Sequence, residues 1–303
     1  MKSRHFVFLC LLATSFGFGQ QVADSLYNPP ISTPAYQKGT GPVIFIDEGH
    51  FNFHTKGGRY KAFADLLERD GYTVESYKGN FTKESLQKGK ILVISNALNE
   101  KSIGNWVNPT LSAFTNEEIE IVKNWVEEGG SLFLIADHMP LAGAAAGLAS
   151  AFDIEFTNGF VFDTISQGPA FFNRKEGSLI ANTITNGRFN SEKVTEVVSF
   201  TGQAFRSNAP IKEVLVLDER YVNLLPDTAW VFHKNTPRRN TNGWLQGAYR
   251  KVGKGRLVVF GEAAMFSAQL AGPEQEKMGM NNPIAPQNYQ LLLNIIHWLD
   301  GKL

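Results

Sequence analysis

The stretch 43–54 joins a short apolar run to a dense group of polar side chains. Val43 to Ile46 are apolar and mostly β-branched. The polar side chains that follow are Asp47, Glu48, His50, Asn52 and His54. A short apolar run that ends in turn residues is typical of a buried strand. Because α/β proteins place their chemistry beyond the carboxyl ends of such strands, this stretch predicts a binding or catalytic site.

His50 and His54 are four residues apart, a spacing that places both on one side of a helix or of an extended chain. Neutral imidazoles with a nearby carboxylate are common zinc ligands, and a catalytic zinc keeps one position for water. The sequence lacks His-Glu-x-x-His, so further ligands must come from other segments. One interpretation is a site for a divalent metal such as zinc. The other is that these groups only hydrogen-bond the loop and the following helix.

Asp137 and His138 follow a second apolar run, at 131–136. His138 is a candidate general acid or base, because an imidazole titrates near neutral pH. Asp137 has two interpretations. It is either a member of the same site, or an N-terminal cap for a helix that has Pro140 near its first turn.

Four further polar residues are candidates because they lie after predicted strands. Glu262 follows the run at 256–260 and opens a predicted short helix, where the helix dipole favours an acidic residue. It becomes a catalytic candidate if Glu48 or a histidine lies close enough to separate their pKa values. Ser95 and Asn96 either bind a polyhydroxylated ligand or form an ordinary turn. Gln269, predicted on the same short helix, is a further candidate ligand-binding residue.

The elements that must position these residues alternate between strands and helices. Predicted strands over 43–46, 72–77, 90–95, 131–136 and 256–260 alternate with helices over 58–70, 116–128, 141–151 and 287–299. Thr115 and Glu118 form a capping box for the second helix, and Gly129 ends it. This alternation predicts an α/β fold, with a mostly parallel sheet and helices on both faces.

The second half of the chain has a different pattern. Short strands separated by turns are predicted at 160–162, 194–200, 214–218, 229–232 and 245–251. Helical periodicity is nearly absent there. We interpret the segment of about 153–252 as an antiparallel elaboration of the sheet within a single domain over 41–303.

The N-terminal segment predicts export to the periplasm or the medium. Lys2 and Arg4 precede an apolar stretch over 6–18, the layout of a signal peptide over 1–19. The proline-rich segment 20–40 is predicted to be an extended tether. No later apolar run reaches the roughly 20 residues that a membrane span requires. The formal charge is zero, with 29 basic and 29 acidic residues, which gives no support for nucleic acid as a partner.

Several of these motifs together resemble the class I glutamine amidotransferase-like superfamily, in its branch of ThuA-like and GIFT-like proteins. The resemblance rests on Asp47-Glu48-Gly49-His50, Ala136-Asp137-His138, Ile184-Thr185-Asn186-Gly187 and the stretch 253–262. It implies a flavodoxin-like sheet in the order 2-1-3-4-5. In that order the first and fourth strands end roughly 10 Å apart, close enough for their side chains to converge.

The resemblance also carries one departure. Amidotransferases have a nucleophilic cysteine after a central strand, whereas the matching position here is Ala136-Asp137-His138-Met139-Pro140. Cys10 is the only cysteine and lies in the predicted signal, so thiol-dependent glutaminase chemistry is excluded for the mature chain.

Two functions remain as hypotheses. The first is an exported hydrolase of a sugar-like or other polar small molecule, in which Glu48 or His138 is the general base, with or without a metal. The second is a non-catalytic ligand-binding or assembly domain of the cell envelope.

Overall fold

The computed structural model describes residues 21–166 and 168–303, and the predicted signal segment 1–19 lies outside them. Six helices are described: α1 (Lys61–Arg69), α2 (Lys83–Leu86), α3 (Asn116–Glu128), α4 (Leu141–Ala151), α5 (Thr183–Asn186) and α6 (Asn288–Asp300). Short 3₁₀ turns lie at Glu100–Ser102, Asn190–Glu192 and Ala264–Phe266. In this part of the chain, no helix is long and apolar enough to cross a bilayer.

Seventeen strands accompany these helices. They are β1 (Gln21–Ala23), β2 (Val43–Asp47), β3 (Thr73–Tyr77), β4 (Ile91–Ser95), β5 (Ser131–Ile135), β6 (Ile154–Phe156), β7 (Phe160–Asp163), β8 (Ala170–Asn173), β9 (Glu196–Ser199), β10 (Phe205–Ser207), β11 (Lys212–Val216), β12 (Tyr221–Leu224), β13 (Arg238–Asn240), β14 (Leu245–Val252), β15 (Gly255–Phe260), β16 (Ala268–Ala271) and β17 (Glu276–Gly279).

Nine of these strands form one mixed sheet. Its order is β3-β2-β4-β5-β15-β14-β10-β6, and β11 also pairs with β14. The first five strands in this order are parallel, and the pairings from β15 onward are antiparallel. The carboxyl ends of β2, β4, β5 and β15 therefore lie along one edge. The chain is an α/β protein, as the sequence predicted.

The parallel strands are buried on both faces, which explains their continuous apolar sequences. In β5, Phe133 and Ile135 pack into a core that includes α1 and α6. Leu132 and Leu134 point to the other face, into a core that includes α3 and α4. This alternation follows from the two-residue period of a strand, and it confirms that helices cover both faces.

The bounds of α3 and α4 match the sequence prediction. Thr115 Oγ1 accepts a hydrogen bond from Glu118 N, and Glu118 Oε2 accepts one from Thr115 N, so the predicted capping box is present. Helix α4 is rich in buried alanine. A Cβ at Gly143 would lie 2.7 Å from Thr110 Cβ, so this glycine permits the close approach of the helix to a neighbouring loop.

The predicted antiparallel elaboration is only partly an extension of the main sheet. Strands β6, β10, β11 and β14 join that sheet, whereas β7, β12 and β13 form a separate sheet, and β8 pairs with β9 alone. The strand predicted at 229–232 is wrong. Val231 N donates to Thr228 O, and Trp230 has a φ of 65°, which places this segment in a turn.

The segment predicted as a tether at 20–40 contacts the domain over its described part, 21–40. Strand β1 pairs with β16 in a three-stranded sheet. Ala35 N donates to Asp70 Oδ1 at 2.8 Å, and Tyr36 packs on the core. The proline-rich sequence could not indicate that apolar side chains attach this segment to the domain, and after β1 the segment contains turns and bends.

Candidate functional site at the carboxyl edge of the sheet

His50 lies between two buried carboxylates. Its Nδ1 is 2.9 Å from Asp47 Oδ1, and its Nε2 is 3.0 Å from Glu118 Oε1. Burial lowers the pKa of His50, but the hydrogen bonds and charges of Asp47 and then of Glu118 outweigh this effect and raise it. A protonated imidazole donates through both nitrogens, so His50 acts as a structural cation between the end of β2 and the start of α3.

This arrangement changes the interpretation of the predicted metal pair. Both ring nitrogens of His50 have carboxylate partners, so neither is available as a ligand, and His50 and His54 are not a zinc pair in this geometry. Over 21–166 and 168–303, no group of three or more His, Cys, Asp and Glu side chains is placed to hold a metal ion.

A chain of hydrogen bonds links β2, β4 and β15. Asn52 Nδ2 donates to Asp47 Oδ2 at 3.0 Å and to the Ser95 carbonyl at 3.3 Å. Ser95 Oγ donates to the Tyr60 hydroxyl, which donates to Ala263 O at 3.2 Å, beside Glu262. Burial raises the pKa of Tyr60 well above its ordinary value, so the phenol keeps its proton.

Asn96 joins the ends of β4 and β5. Its Oδ1 accepts from Asp137 N at 2.9 Å, and its Nδ2 lies 3.2 Å from His54 Nδ1. The φ of Asn96 is 50°, a left-handed conformation that asparagine tolerates better than most residues. This amide therefore holds Asp137 and His54 in the same polar group, as the sequence analysis anticipated for strand ends that meet.

His54 is buried and neutral. Burial, and then the charge of Arg59, lower its pKa to about 3. Because Asn96 uses Oδ1 as an acceptor, its Nδ2 must donate to His54 Nδ1, which places the imidazole proton on Nε2. Within the described part of the chain, that Nε2 has no hydrogen-bond partner.

His138 has a different environment, with one ring nitrogen satisfied and the other available. Nδ1 lies 2.8 Å from the Met139 carbonyl, so Nδ1 carries a proton and Nε2 carries the lone pair of the neutral ring. The ring stacks on Phe160 at 4.4 Å and 14°, and the edge of Trp230 lies 4.7 Å away. Trp106, 6.5 Å away, completes an aromatic enclosure.

Glu262 is fully enclosed beside Asp137. Its carboxyl oxygens accept from Ala264 N and Met265 N, both at 2.8 Å. Burial, and then the negative charge of Asp137, raise the pKa of Glu262 well above its ordinary value, and backbone hydrogen bonds only partly oppose them. The neighbouring ionisable group of Glu262 is therefore Asp137, not the Glu48 or histidine that the sequence prediction required.

Asp137 does not cap α4. Its Oδ1 accepts from His138 N at 2.9 Å, and α4 begins after Pro140 without a side-chain cap. Asp137 thus stays within the polar group at the strand ends.

Glu48 and Gln269 lie outside this network. Glu48 Oε1 accepts from Lys56 N and from Ser76 Oγ, both at 2.8 Å, which ties it to β3. Gln269 lies on strand β16, not on the helix that the sequence predicted. Its Nε2 donates to Ser267 Oγ at 2.7 Å. Neither side chain is placed beside His138.

Several residues of the site were missed by the sequence analysis. Tyr60, Glu118, Trp106, Phe160 and Trp230 come from helix starts, loops or the separate sheet. Their types alone indicated core or capping roles, and only the fold brings them to the sheet edge. A distinct cavity of about 200 Å³ is lined in part by Phe162, Phe200 and Gln246, and it contains none of the predicted site residues.

Comparisons with known proteins identify fold relatives only. No protein-family model matches the chain, and no curated protein sequence matches it. The N-terminal domain of mmIFT52 is similar in structure, with a TM-score of 0.59 and 16% identity over 85% of this chain and 97% of that one. The cytoplasmic protein STM3548 from Salmonella typhimurium gives 0.51 and 12% over 85% and 98%.

A third structure, a ThuA-like protein from Bacteroides uniformis, has a TM-score of 0.46 and 11% identity over 88% of this chain and 94% of that one. This third likeness is too distant to support a conclusion. The first two show a shared fold and nothing about activity.

Proposed function

We propose that this protein is an exported hydrolase of a sugar-like or other polar small molecule, with His138 as its general base. We further propose that it is a member of the ThuA-like and GIFT-like branch that lacks the nucleophilic cysteine, with a flavodoxin-like arrangement of its parallel strands. Export rests on the signal motif at 1–19. The catalytic proposal rests on His138, the sequence-predicted base, whose Nδ1 is bonded to the Met139 carbonyl and whose ring lies among Phe160, Trp230 and Trp106.

The tautomer of His138 supports a role as a base. Nδ1–H donates to the Met139 carbonyl, and the stacked Phe160 ring holds the imidazole plane. The lone pair on Nε2 is therefore fixed in direction before a substrate arrives. Aromatic side chains around it, including Trp230 at 39% exposure, offer apolar faces to the flat side of a sugar ring.

The hydrolytic step needs only water as a second reactant. Nε2 removes a proton from water as the water oxygen forms a bond to the electrophilic carbon. The bond from that carbon to the leaving oxygen then breaks, and the imidazolium returns its proton to the leaving oxygen. Asp137, the preceding residue, accepts a hydrogen bond from the backbone N of His138, and burial together with the charge of Asp137 raises the pKa of the Glu262 carboxyl.

The experiment is a turnover assay of the purified protein with p-nitrophenyl glycosides and esters. His138→Gln preserves size and polarity without a basic nitrogen, so we expect turnover to fall by about 100-fold to 10,000-fold. The matched control is His233→Gln, an exposed histidine. Equal turnover in wild type and His138→Gln would reject the assignment of the base.

The second candidate is a non-catalytic ligand-binding or assembly domain. One observation favours it: the polar atoms of His50, Glu48 and Glu262 are largely satisfied by the protein itself. The same substrate panel separates the two hypotheses. Absence of turnover by the wild type, with sugar binding that depends on Trp230, would favour the binding domain.

A further inference from the structure

Arg59 is a half-buried cation that has no anionic partner among the residues described, 21–166 and 168–303. Across the described segments, no carboxylate oxygen lies within 4.0 Å of its guanidinium. Its Nη1 makes one long hydrogen bond, 3.3 Å, to Phe53 O, and its buried Nε has no partner there. Removing a guanidinium from water without full hydrogen bonding is unfavourable, so an unmatched cation of this kind indicates a missing acceptor.

Arg174 shows how the fold treats another half-buried arginine that has no carboxylate nearby in the described structure. It donates to Val194 O, Thr185 O and Asn186 Oδ1 at 2.6–2.8 Å. Three short bonds replace the lost hydration at Arg174. Arg59 has a single long hydrogen bond within the described residues, so its environment differs from that of an arginine with a purely structural role.

The residues next to Arg59 supply further donors and no acid. His54 carries a proton on its buried Nε2, for which the described part of the chain offers no acceptor. His54 also packs against Tyr60, whose ring centroid is 4.6 Å away, directly before α1. The first turn of α1 has no acidic residue, and its N-terminus has no side-chain cap. An uncapped helix N-terminus carries a partial positive charge that favours an anion.

A continuous aromatic surface leads from Arg59 to the proposed base. The guanidinium lies 4.2 Å from the centroid of the Phe53 ring, which is 37% exposed. Phe53 contacts Trp106 at 5.5 Å, and Trp106 lies 6.5 Å from His138. One molecule with a carbon face and a negative group could therefore contact this surface and Arg59 together.

We infer that Arg59 binds the carboxylate of the substrate and that the substrate is an acidic sugar of the hexuronate type. This inference rests on the proposed hydrolase function and specifies its substrate class. The sugar ring stacks on the aromatic surface, and the carboxylate accepts from the guanidinium, with α1 and His54 beside it. Arginine suits this role because its planar fork matches the two oxygens of a carboxylate.

The local charge favours a carboxylate over a phosphate. The nearby lysines are already paired, Lys56 with Glu68 at 2.9 Å and Lys61 with Asp65 at 2.6 Å. His54 is neutral, so Arg59 supplies a single unmatched positive charge. That charge matches a monoanionic carboxylate, whereas a sugar phosphate carries about two negative charges near neutral pH.

The test measures the affinity of the purified full-length protein for D-glucuronate, D-glucose and glucose 6-phosphate by isothermal titration calorimetry. We expect glucuronate to bind more tightly than the other two. Arg59→Gln should weaken glucuronate binding by about 10-fold to 100-fold, the loss typical of a hydrogen bond between charged groups, and leave glucose binding unchanged.

The matched control is Arg256→Gln. Arg256 also lies over an aromatic ring, 5.5 Å from the centroid of Trp298, but at the amino end of β15, on the opposite edge of the sheet. Its loss should leave glucuronate affinity at the wild-type level. Equal binding of glucuronate and glucose by the wild type would overturn the inference, as would unchanged glucuronate affinity in Arg59→Gln. Tighter binding of glucose 6-phosphate than of glucuronate would overturn the carboxylate assignment.

His138→Gln separates this inference from the proposed function. If glucuronate binds tightly while His138→Gln keeps wild-type turnover, the acidic-sugar site stands and the base assignment fails. If His138→Gln loses turnover but glucuronate shows no advantage over glucose, the hydrolase stands and the substrate class fails.

Discussion

His50 Nε2 lies 3.0 Å from Glu118 Oε1, which connects a residue of the β2 loop to the capping residue of α3. The same Glu118 oxygen accepts from Phe81 N at 3.0 Å, and its other oxygen closes the capping box with Thr115. Burial raises the pKa of Glu118, but hydrogen bonds from Thr115 and His50 lower it by a larger amount. The net shift is downward, and the carboxylate stays charged. One ion pair thus fixes the helix start to the sheet edge.

His50→Gln should destabilise the fold strongly. The substitution leaves Asp47 and Glu118 buried with weaker partners, and breaking such a pair costs about 3–5 kcal/mol. The free energy of unfolding from urea titration measures the effect. His233→Gln, at an exposed histidine, should change it by less than about 0.5 kcal/mol. A similar small change in both variants would show that the ion pair carries no stability.

The same ion pair predicts how stability depends on pH. The folded pKa of His50 is raised above its ordinary 6.5, so the charged form is the one stabilised by folding. This contribution is complete below about pH 6.5 and is lost as the pH rises through the folded pKa. Wild type should therefore lose stability relative to His50→Gln as the pH rises above 6.5 and through the folded pKa of His50. Parallel curves for the two proteins would contradict the charged imidazole.

The parallel half of the fold was predictable because its signals are local. The apolar runs of β4 and β5 follow from burial on both faces, and the bounds of α3 follow from its capping box. The turn at Trp230 was not predictable. Its apolar neighbours have strand-like composition, and only packing against His138 and Phe160 explains why they form a turn.

The meeting of polar residues at one sheet edge was predictable, whereas the partner of each residue was not. Polar residues after strands indicated the sheet edge, because parallel strands end together. The partner of each residue depends on distant segments. The spacing of His50 and His54 suggests metal ligands, but Glu118 occupies the second ring nitrogen of His50, and Arg59 carries no local sequence signal. Local spacing cannot show which carboxylate meets which imidazole.

The free energy of unfolding of Glu262→Gln should increase relative to that of wild type as the pH rises. The folded pKa of Glu262 is well above its ordinary 4.5, so its contribution is present below pH 4.5 and is lost as the pH rises through the folded pKa. Glutamine cannot ionise and avoids that loss. Urea unfolding of both proteins across acidic to neutral pH measures the difference.

Glu192→Gln provides the contrasting control, because its sign is opposite. Burial raises the pKa of Glu192, but hydrogen bonds from Arg188 lower it by a larger amount, so the net shift is downward. Its stabilisation is present above pH 4.5 and is lost as the pH falls through the folded pKa. The free energy of unfolding of Glu192→Gln should therefore fall further below that of wild type as the pH rises. If both variants followed the same trend, the raised pKa of Glu262 would be contradicted.

Removal of residues 21–40, together with the preceding signal segment, should destabilise the protein, because these residues attach to the domain through specific contacts. Asp70 accepts from Ala35 N through its side chain at 2.8 Å and from Tyr36 N through its carbonyl at 3.1 Å, while its other carboxylate oxygen lies 2.6 Å from His297 Nε2. Loss of β1 also exposes an edge of β16.

We expect the free energy of unfolding to fall by about 3 kcal/mol or more, since at least two apolar side chains lose burial. The control is a chain that lacks only residues 1–19. If residues 21–40 were a solvated tether, both proteins would be equally stable in urea. The observed hydrogen bonds to Asp70 instead require the chain without residues 21–40 to unfold at a lower urea concentration. Asp70→Asn in the longer chain should reproduce part of this loss, because it weakens the contact with His297 and retains an acceptor for Ala35.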